Sequence, residues 1–368
     1  MMKKIAWITP TCYVDVDLPI IKELQTVYDI HWFVILQPKD GENTKTYIEN
    51  TLGKGKKVLI SYEWQMHRMR SLKNIAFVYN LIRKAKADNA DVYYTSEYAQ
   101  PFGVWLYKWI LPIDKTIAAC HNVTTPKGAN HEKFARFYTA KWLSSFKNIQ
   151  TFSYSQCKAL TSIYKHKNVL MAHLALKDYG MPTKFVKSPK VTFLVFGNIV
   201  RYKRIDLLLK AVNILNKRGV HDFNVKIAGN CKDWDTNYAP IIECPELYDL
   251  DIRRIPNEDV ANLFAESDYF VMPYQDIAQS GAITVAFRYN IPVLCSDIEQ
   301  FTEFVTDGVT GFTFKSQDER SLADKMEWIM KNHQQIYNSV KMNEQKFVDE
   351  NLALNTIVGK YKSFIDKL

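Results

Sequence analysis

The sequence predicts an α/β chain of two Rossmann-like, doubly wound domains. Three observations carry this. The 368 residues exceed one ordinary core and suit two, and 47% hydrophobic with 24% charged residues is a globular composition. Short apolar runs alternate with amphipathic stretches. That alternation stops midway and restarts. Glycine and proline, 13 each, are too scarce for a turn-rich all-β protein.

The first half reads KIAWIT as a strand, PIIKELQTV as a helix, and IHWFVIL and KVLISY as strands. SLKNIAFVYNLIRKAKA has helical spacing, with Leu72, Ile75, Phe77, Val78, Leu81 and Ile82 on one broad face. DVYYTS and KTIAACH follow as strands. The second half opens on the apolar run VTFLVFG. It continues through RIDLLLKAVNILNKRG (helix, ending at Gly219), FNVKIAG (strand), NEDVANLFAES (helix), DYFVMPY (strand), SGAITVAFRYN (helix) and PVLCS (strand). Between the halves, residues 177–190 are polar, carry two prolines and a glycine, and lack an apolar period. The expected domains are therefore 1–183 and 184–348. The segment 349–368 is expected as a charged-faced helix packing back on the first.

A net charge of +9 and a pI near 9.0 favour polyanions: nucleic acid, anionic lipid or phosphorylated substrates. No nucleic-acid motif is present, so no nucleic-acid partner is expected. The six cysteines form no CxxC pair, which points to a reducing compartment. The N-terminal apolar stretch is only a strand long before Pro10, unlike a signal peptide, and no run reaches transmembrane length. The expected location is cytoplasmic, with a possible peripheral seat on the inner membrane face.

Two segments carry the chemistry. FGNIVRYKRIDLLLKA (196–211) ends a buried strand at Gly197 and leads through a basic loop into a helix. Arg201 and Lys203 would stand beside a helix N-terminus, whose amides favour anions. QSGAITVAFRYNIPVLCSD (279–297) follows another strand. The amides of Ser280, Gly281 and Ala282 could cradle a diphosphate, Gly281 permitting close approach, and Asn290 suits a left-handed C-cap. Alone, the first reads equally as a solvated loop, and the second better as ordinary capping by Ser280.

In this order the two segments, with the tail FTEFVTDGVTGFTF (301–314), resemble the C-terminal half of the retaining GT-B-fold glycosyltransferases, the glycosyl transferases group 1. That family's pattern is G-R-x-x-x-x-K-G-x-D, then E-x7-E closing with G-x-P-V, then P-E-x-x-x-D-G-x-x-G. The resemblance is close over about 190–330. It implies GT-B architecture, two facing Rossmann-like domains with a cleft between them. It implies that Lys203 contacts a donor diphosphate, that the Ser280–Ala282 amides bind phosphate, that the nucleotide base meets backbone at Ile255, and that Glu303 is the tail acid. Asn198 stands for the family arginine, with Arg201 able to supply its charge. Val285 stands for the second glutamate, and Gln279 or Asp276 lies near the first.

KTIAACHNVTTP puts His121 at a strand end, where it resembles the family histidine that contacts the donor sugar. A satisfied core histidine is the alternative. Gly128–Lys147 spaces Phe134, Phe137, Tyr138, Trp142 and Phe146 helically among lysines and arginine. It reads either as an interfacial helix reaching anionic lipid or as a core stripe. The triplets Asp15–Asp17, Asp233–Asp235 and Asp249–Asp251 resemble metal-holding DxD motifs but lack that context, so no metal or cofactor is expected. The expected activity is metal-independent transfer of a sugar, from a UDP-sugar foremost, to a glycan or lipid-linked acceptor with retention, as in surface polysaccharide synthesis. The alternatives are a sugar-nucleotide epimerase and a non-catalytic sugar-nucleotide or lipid-surface binding protein.

Overall fold

The computed structural model describes residues 2–53, 55–68, 71–96, 102–124, 132–277 and 279–368. The chain forms two compact units, Met1–Ala175 with Ala353–Leu368, and Leu176–Leu352.

The first unit runs β1 (Lys4–Pro10), α1 (Val14–Leu24), β2 (Asp29–Leu36), α2 (Gly41–Leu52), β3 (Leu59–Trp64), α3 (Leu72–Ala87) and β4 (Val92–Thr95). It continues as α4 (Gly103–Ile110), β5 (Thr116–Ala119), α5 (Glu132–Ser145), β6 (Asn148–Thr151), α6 (Tyr154–Ile163) and β7 (Asn168–Met171). The second has β8 (Val191–Phe196), α7 (Ile205–Lys217), β9 (Phe223–Ala228), α8 (Trp234–Asn237), β10 (Tyr248–Asp251), α9 (Asn257–Ala265) and β11 (Tyr269–Met272). Then come α10 (Gly281–Arg288), β12 (Val293–Ser296), α11 (Glu299–Thr302), β13 (Gly311–Phe314) and the 33-residue α12 (Glu319–Asn351). After a break at Leu352 and Ala353, α13 (Leu354–Ile365) returns to the first unit.

Both sheets are parallel. Their orders are β3-β2-β1-β4-β5-β6-β7 and β10-β9-β8-β11-β12-β13. Each order reverses once, between β1 and β4 and between β8 and β11, and ligands of such sheets bind at the carboxyl ends of the strands there. Helices cover both faces, so the central strands are buried throughout and read as apolar runs.

Four strands escape the apolar reading: β6, β7, β10 and β13. In β6 the side chains of Asn148, Gln150 and Thr151 are all buried. Asn148 Nδ2 donates to the carbonyls of Asp114 and Thr116, and Gln150 accepts from the Tyr94 hydroxyl and donates to Tyr361 of α13. These partners lie up to 211 residues away in sequence. Helix α1 begins at Val14 and contains Pro19 rather than starting on it. Leu72, placed above on the packed face of α3, is 82% exposed, while Asn74, Val78, Leu81, Ile82 and Ala85 are buried.

Helix α13 buries Ile357, Val358, Tyr361 and Ile365 in the same apolar cluster as Trp7, Trp32 and Tyr94. Lys3 Nζ donates to the Ile365 carbonyl (3.0 Å), and the Tyr28 hydroxyl to Asp366 (2.7 Å). Among the described residues no helix is long and apolar enough to cross a membrane.

Candidate functional site

In the second unit, the turn after β8 is built on glycine. Gly197 has φ +101°, a conformation other residues rarely adopt. Gly229, at the end of β9, lies against it: a Cβ there would stand 2.1 Å from the Gly197 carbonyl oxygen. Gly197 N donates to Ala228 O (3.0 Å) and Ile199 N to Asn230 O (2.9 Å). A single 3-10 turn, Arg201–Lys203, then leads into α7 through Arg204, which has φ +50°.

This backbone turns Lys203 inward. The sequence suggests an exposed loop, yet Lys203 is only 9% exposed. Its Nζ lies 5.4 Å from the ring centre of the buried Tyr274 and 3.4 Å from where a Gly197 Cβ would stand. Among the described residues it makes no hydrogen bond and no ion pair. Desolvation pulls the ammonium from 10.5 down to about 8. A buried cation without a counter-charge is costly, and a bound anion would remove that cost.

The loop after β11 supplies the opposite wall. Gln275 N donates to Tyr202 O (3.0 Å), joining it to the Lys203 turn, and Tyr202 packs edge-on against Tyr274. Ser280 caps α10, accepting from Ile283 N at 3.4 Å. The capping reading of Ser280 is therefore correct for its side chain. The first amides of a helix have no intrahelical partner. At Gly281 nothing among the described residues lies within 4 Å of an added Cβ. Lys203 and the start of α10 thus both follow strands at the reversal point of this sheet.

Residues 181–347 match the family model described as glycosyl transferases group 1. No curated protein matches the chain by sequence. Solved structures do match. A glycosyltransferase from Rickettsia africae has 16% identity and a TM-score of 0.74, covering 100% of this chain and 98% of its own. Anabaena HepE in complex with UDP-glucose has 13% identity and a TM-score of 0.73, covering all of both chains. Sucrose-phosphate synthase from Thermosynechococcus elongatus has 12% identity and a TM-score of 0.75, covering 99% and 98%. At these identities the likeness establishes the fold, which is that of GT-B glycosyltransferases, α/β with two parallel sheets.

The remaining group 1 positions separate. Val285, at the family's second glutamate, is buried in an apolar cluster with Phe270, Met272 and Ile283. It offers no ribose contact. Asn198 is exposed, Gln279 and Glu303 are half-buried, and Ile255 lies half-buried in the loop between β10 and α9. Arg201 is exposed and lines a groove of about 600 Å³ with Arg204, Asp206, Asp233, Asn237, Tyr238 and Gln275. Neither Lys203 nor any residue of α10 lines that groove. Arg204 in turn holds Asp206 bidentately.

In the first unit, His121 follows β5 and is 3% exposed. Its ring is sandwiched between Tyr13 (3.7 Å between centroids) and Phe152 (4.4 Å). Desolvation lowers it to about 3, so the imidazole is neutral at working pH. The following N-V-T-T-P loop lies partly outside the described residues, as do 128–131 of the aromatic-basic segment.

Each acidic triplet has at least one acid engaged in the fold. Asp17 is buried and accepts from Trp7 Nε1 (3.1 Å), Thr9 Oγ1 (2.7 Å) and Ser96 Oγ (2.8 Å) through one oxygen. Burial raises its carboxyl to about 6. Asp233 accepts from Asn237 and Cys231, Asp249 pairs with Lys226, and Asp251 with Arg253. Tyr274 and Gly229 are the site residues that sequence reasoning missed. The one signal for Tyr274 was its position, two residues past a buried strand.

Proposed function

We propose that this chain is a glycosyltransferase that moves a sugar from a UDP-sugar to a glycan or lipid-linked acceptor hydroxyl with retention of configuration, as in surface polysaccharide synthesis. The observation that carries it is the buried Lys203 ammonium, without an ion pair among the described residues, in the turn after β8, the strand that neighbours the β11 leading to α10. The group 1 match over that region and the UDP-glucose bound by the structurally similar HepE support the nucleotide. In the reaction the bond from the anomeric carbon to the diphosphate breaks and a bond to the acceptor oxygen forms on the same face. The acceptor proton passes to the departing phosphate. Lys203 and the Gly281 and Ala282 amides stabilise that developing charge. Arg201, in its separate groove, is given no part in it.

Isothermal titration with UDP, paired with a donor-turnover assay, tests this reading. Binding with turnover is the expected result; binding without turnover would favour a sugar-nucleotide binding protein, and no binding would sink the reading. Turnover should persist in EDTA, since side chains and helix amides supply the positive field. Abolition by chelator with rescue by manganese or magnesium would refute that.

For His121 we propose a contact from its neutral ring to a donor-sugar hydroxyl. His121→Ala should lower turnover about a hundredfold and UDP affinity less than about twofold, because an orienting contact acts in the transition state. Equal losses in both, or a collapse in melting temperature, would reduce His121 to a packing residue between Tyr13 and Phe152.

A further inference from the structure

The positive charge of this chain is unevenly placed. Residues 102–167 hold ten lysines and arginines against two acids, a net of +8 in a chain whose total is +9. This stretch forms α4, α5 and α6, which with α3 cover one face of the seven-stranded sheet. Helix α5 divides sharply between its two sides. Tyr138 and Trp142 are buried in the apolar cluster beneath, with the Trp142 indole donating to Ala119 O at 3.0 Å. Phe134 and Phe137 are 50% and 52% exposed, and Lys133, Arg136 and Lys141 are exposed among them. Positions 134, 137 and 141 lie along one stripe, and Lys141 Nζ stands 5.7 Å from the Phe137 ring centre. On α4, which packs against α5, Trp109 is 73% exposed beside the exposed Lys108.

The core reading of the aromatic-basic segment thus holds for one side of the helix, and the other side is exposed. The core claims Tyr138 and Trp142, and solvent holds Phe134 and Phe137. Scattered exposed apolar residues are ordinary. Aromatics ringed by cations in the most basic part of a chain match what a lipid interface selects: rings for the acyl boundary and lysines for acidic headgroups.

We propose that the outer surface of α4 and α5 docks on an anionic lipid bilayer, with Trp109, Phe134 and Phe137 entering the headgroup layer and Lys108, Lys133 and Lys141 meeting acidic headgroups. The inference rests on charge and exposure and is independent of the donor site. Docking here would bring the enzyme to a lipid-linked acceptor. Each lysine near such a surface contributes about fivefold in affinity, and salt screens it.

The test is co-sedimentation of the full chain with phosphatidylcholine vesicles, with and without added phosphatidylglycerol. Binding is expected only to the anionic vesicles and should weaken as salt rises. Lys133→Glu with Lys141→Glu should lower affinity more than about tenfold. Phe134→Ser with Phe137→Ser should leave a weaker, wholly salt-sensitive association. Both double variants should keep the melting temperature and the UDP response of the parent. No sedimentation with anionic vesicles, equal sedimentation with neutral ones, or unchanged binding by the charge-reversed variant would overturn the proposal. So would an oligonucleotide that binds this face while vesicles do not. A chain that ignores UDP but sediments with anionic vesicles would keep this inference and overturn the donor reading alone.

Discussion

Lys203→Met should make the ligand-free protein more stable and leave it unable to respond to UDP. The two effects have one cause. Burial without a counter-charge depresses the Lys203 ammonium from 10.5 to about 8. Its folded-state value lies below its unfolded value, so the folded state binds the proton less tightly. The penalty is fully present below about pH 8 and disappears as pH rises through 10.5. By linkage the shift corresponds to about 3 kcal/mol at neutral pH. Methionine keeps the length and apolar contacts against Tyr274 and removes the charge. The melting temperature of Lys203→Met should therefore exceed that of the parent at pH 7, with the difference narrowing towards pH 10. UDP should bind the variant more weakly by about 1.5–3 kcal/mol, the contribution of a charge-assisted contact. A destabilised variant with undiminished UDP affinity would mean that Lys203 serves packing and that the phosphate site lies elsewhere.

Gly229→Ala should damage the same site from behind. The added Cβ would lie 2.1 Å from Gly197 O and 2.8 Å from Gly197 C, and both are backbone atoms. Gly197 and Gly229 are held by hydrogen bonds to Ala228 O and Asp251 O, at 3.0 Å each. Neither strand can yield without moving the turn that aims Lys203. Overpacking of this kind costs about 1–3 kcal/mol, and UDP affinity should fall with it because the displaced group is the turn itself. Gly359→Ala is the matched control. It lies in α13 with nothing within 4 Å of its Cβ, and alanine should be tolerated there or stabilise the helix. If both variants melt and bind alike, the contact between the two glycines has no functional weight.

These two positions mark what was legible in the sequence and what was not. The turn after β8 announced itself, because a run of buried apolar residues ends in glycine and a basic stretch before a helix. The α10 cap was legible for the same reason: Ser280 and Gly281 stand where an apolar strand gives way to helical spacing. Local chemistry writes both. The direction of Lys203 was not legible, because it depends on φ +101° at Gly197 and on a tyrosine 71 positions later. The same holds for Arg201, four residues from Gly197 in sequence but turned into another groove. Strand β6 was hidden because Asn148 and Gln150 look like loop residues until distant partners satisfy them. Asp17 read as half of a DxD triplet; its donors come from β1 and from Ser96, 79 residues away.

The central claim is that the Lys203 turn and the start of α10 form a diphosphate site. It is tested most directly by the UDP-induced rise in melting temperature of the parent and of Lys203→Met, measured side by side at neutral pH. A ligand that binds only the folded state raises its melting point. The account predicts a clear rise for the parent, and for the variant a higher starting temperature with little or no rise. An equal UDP-induced rise in both proteins would contradict it.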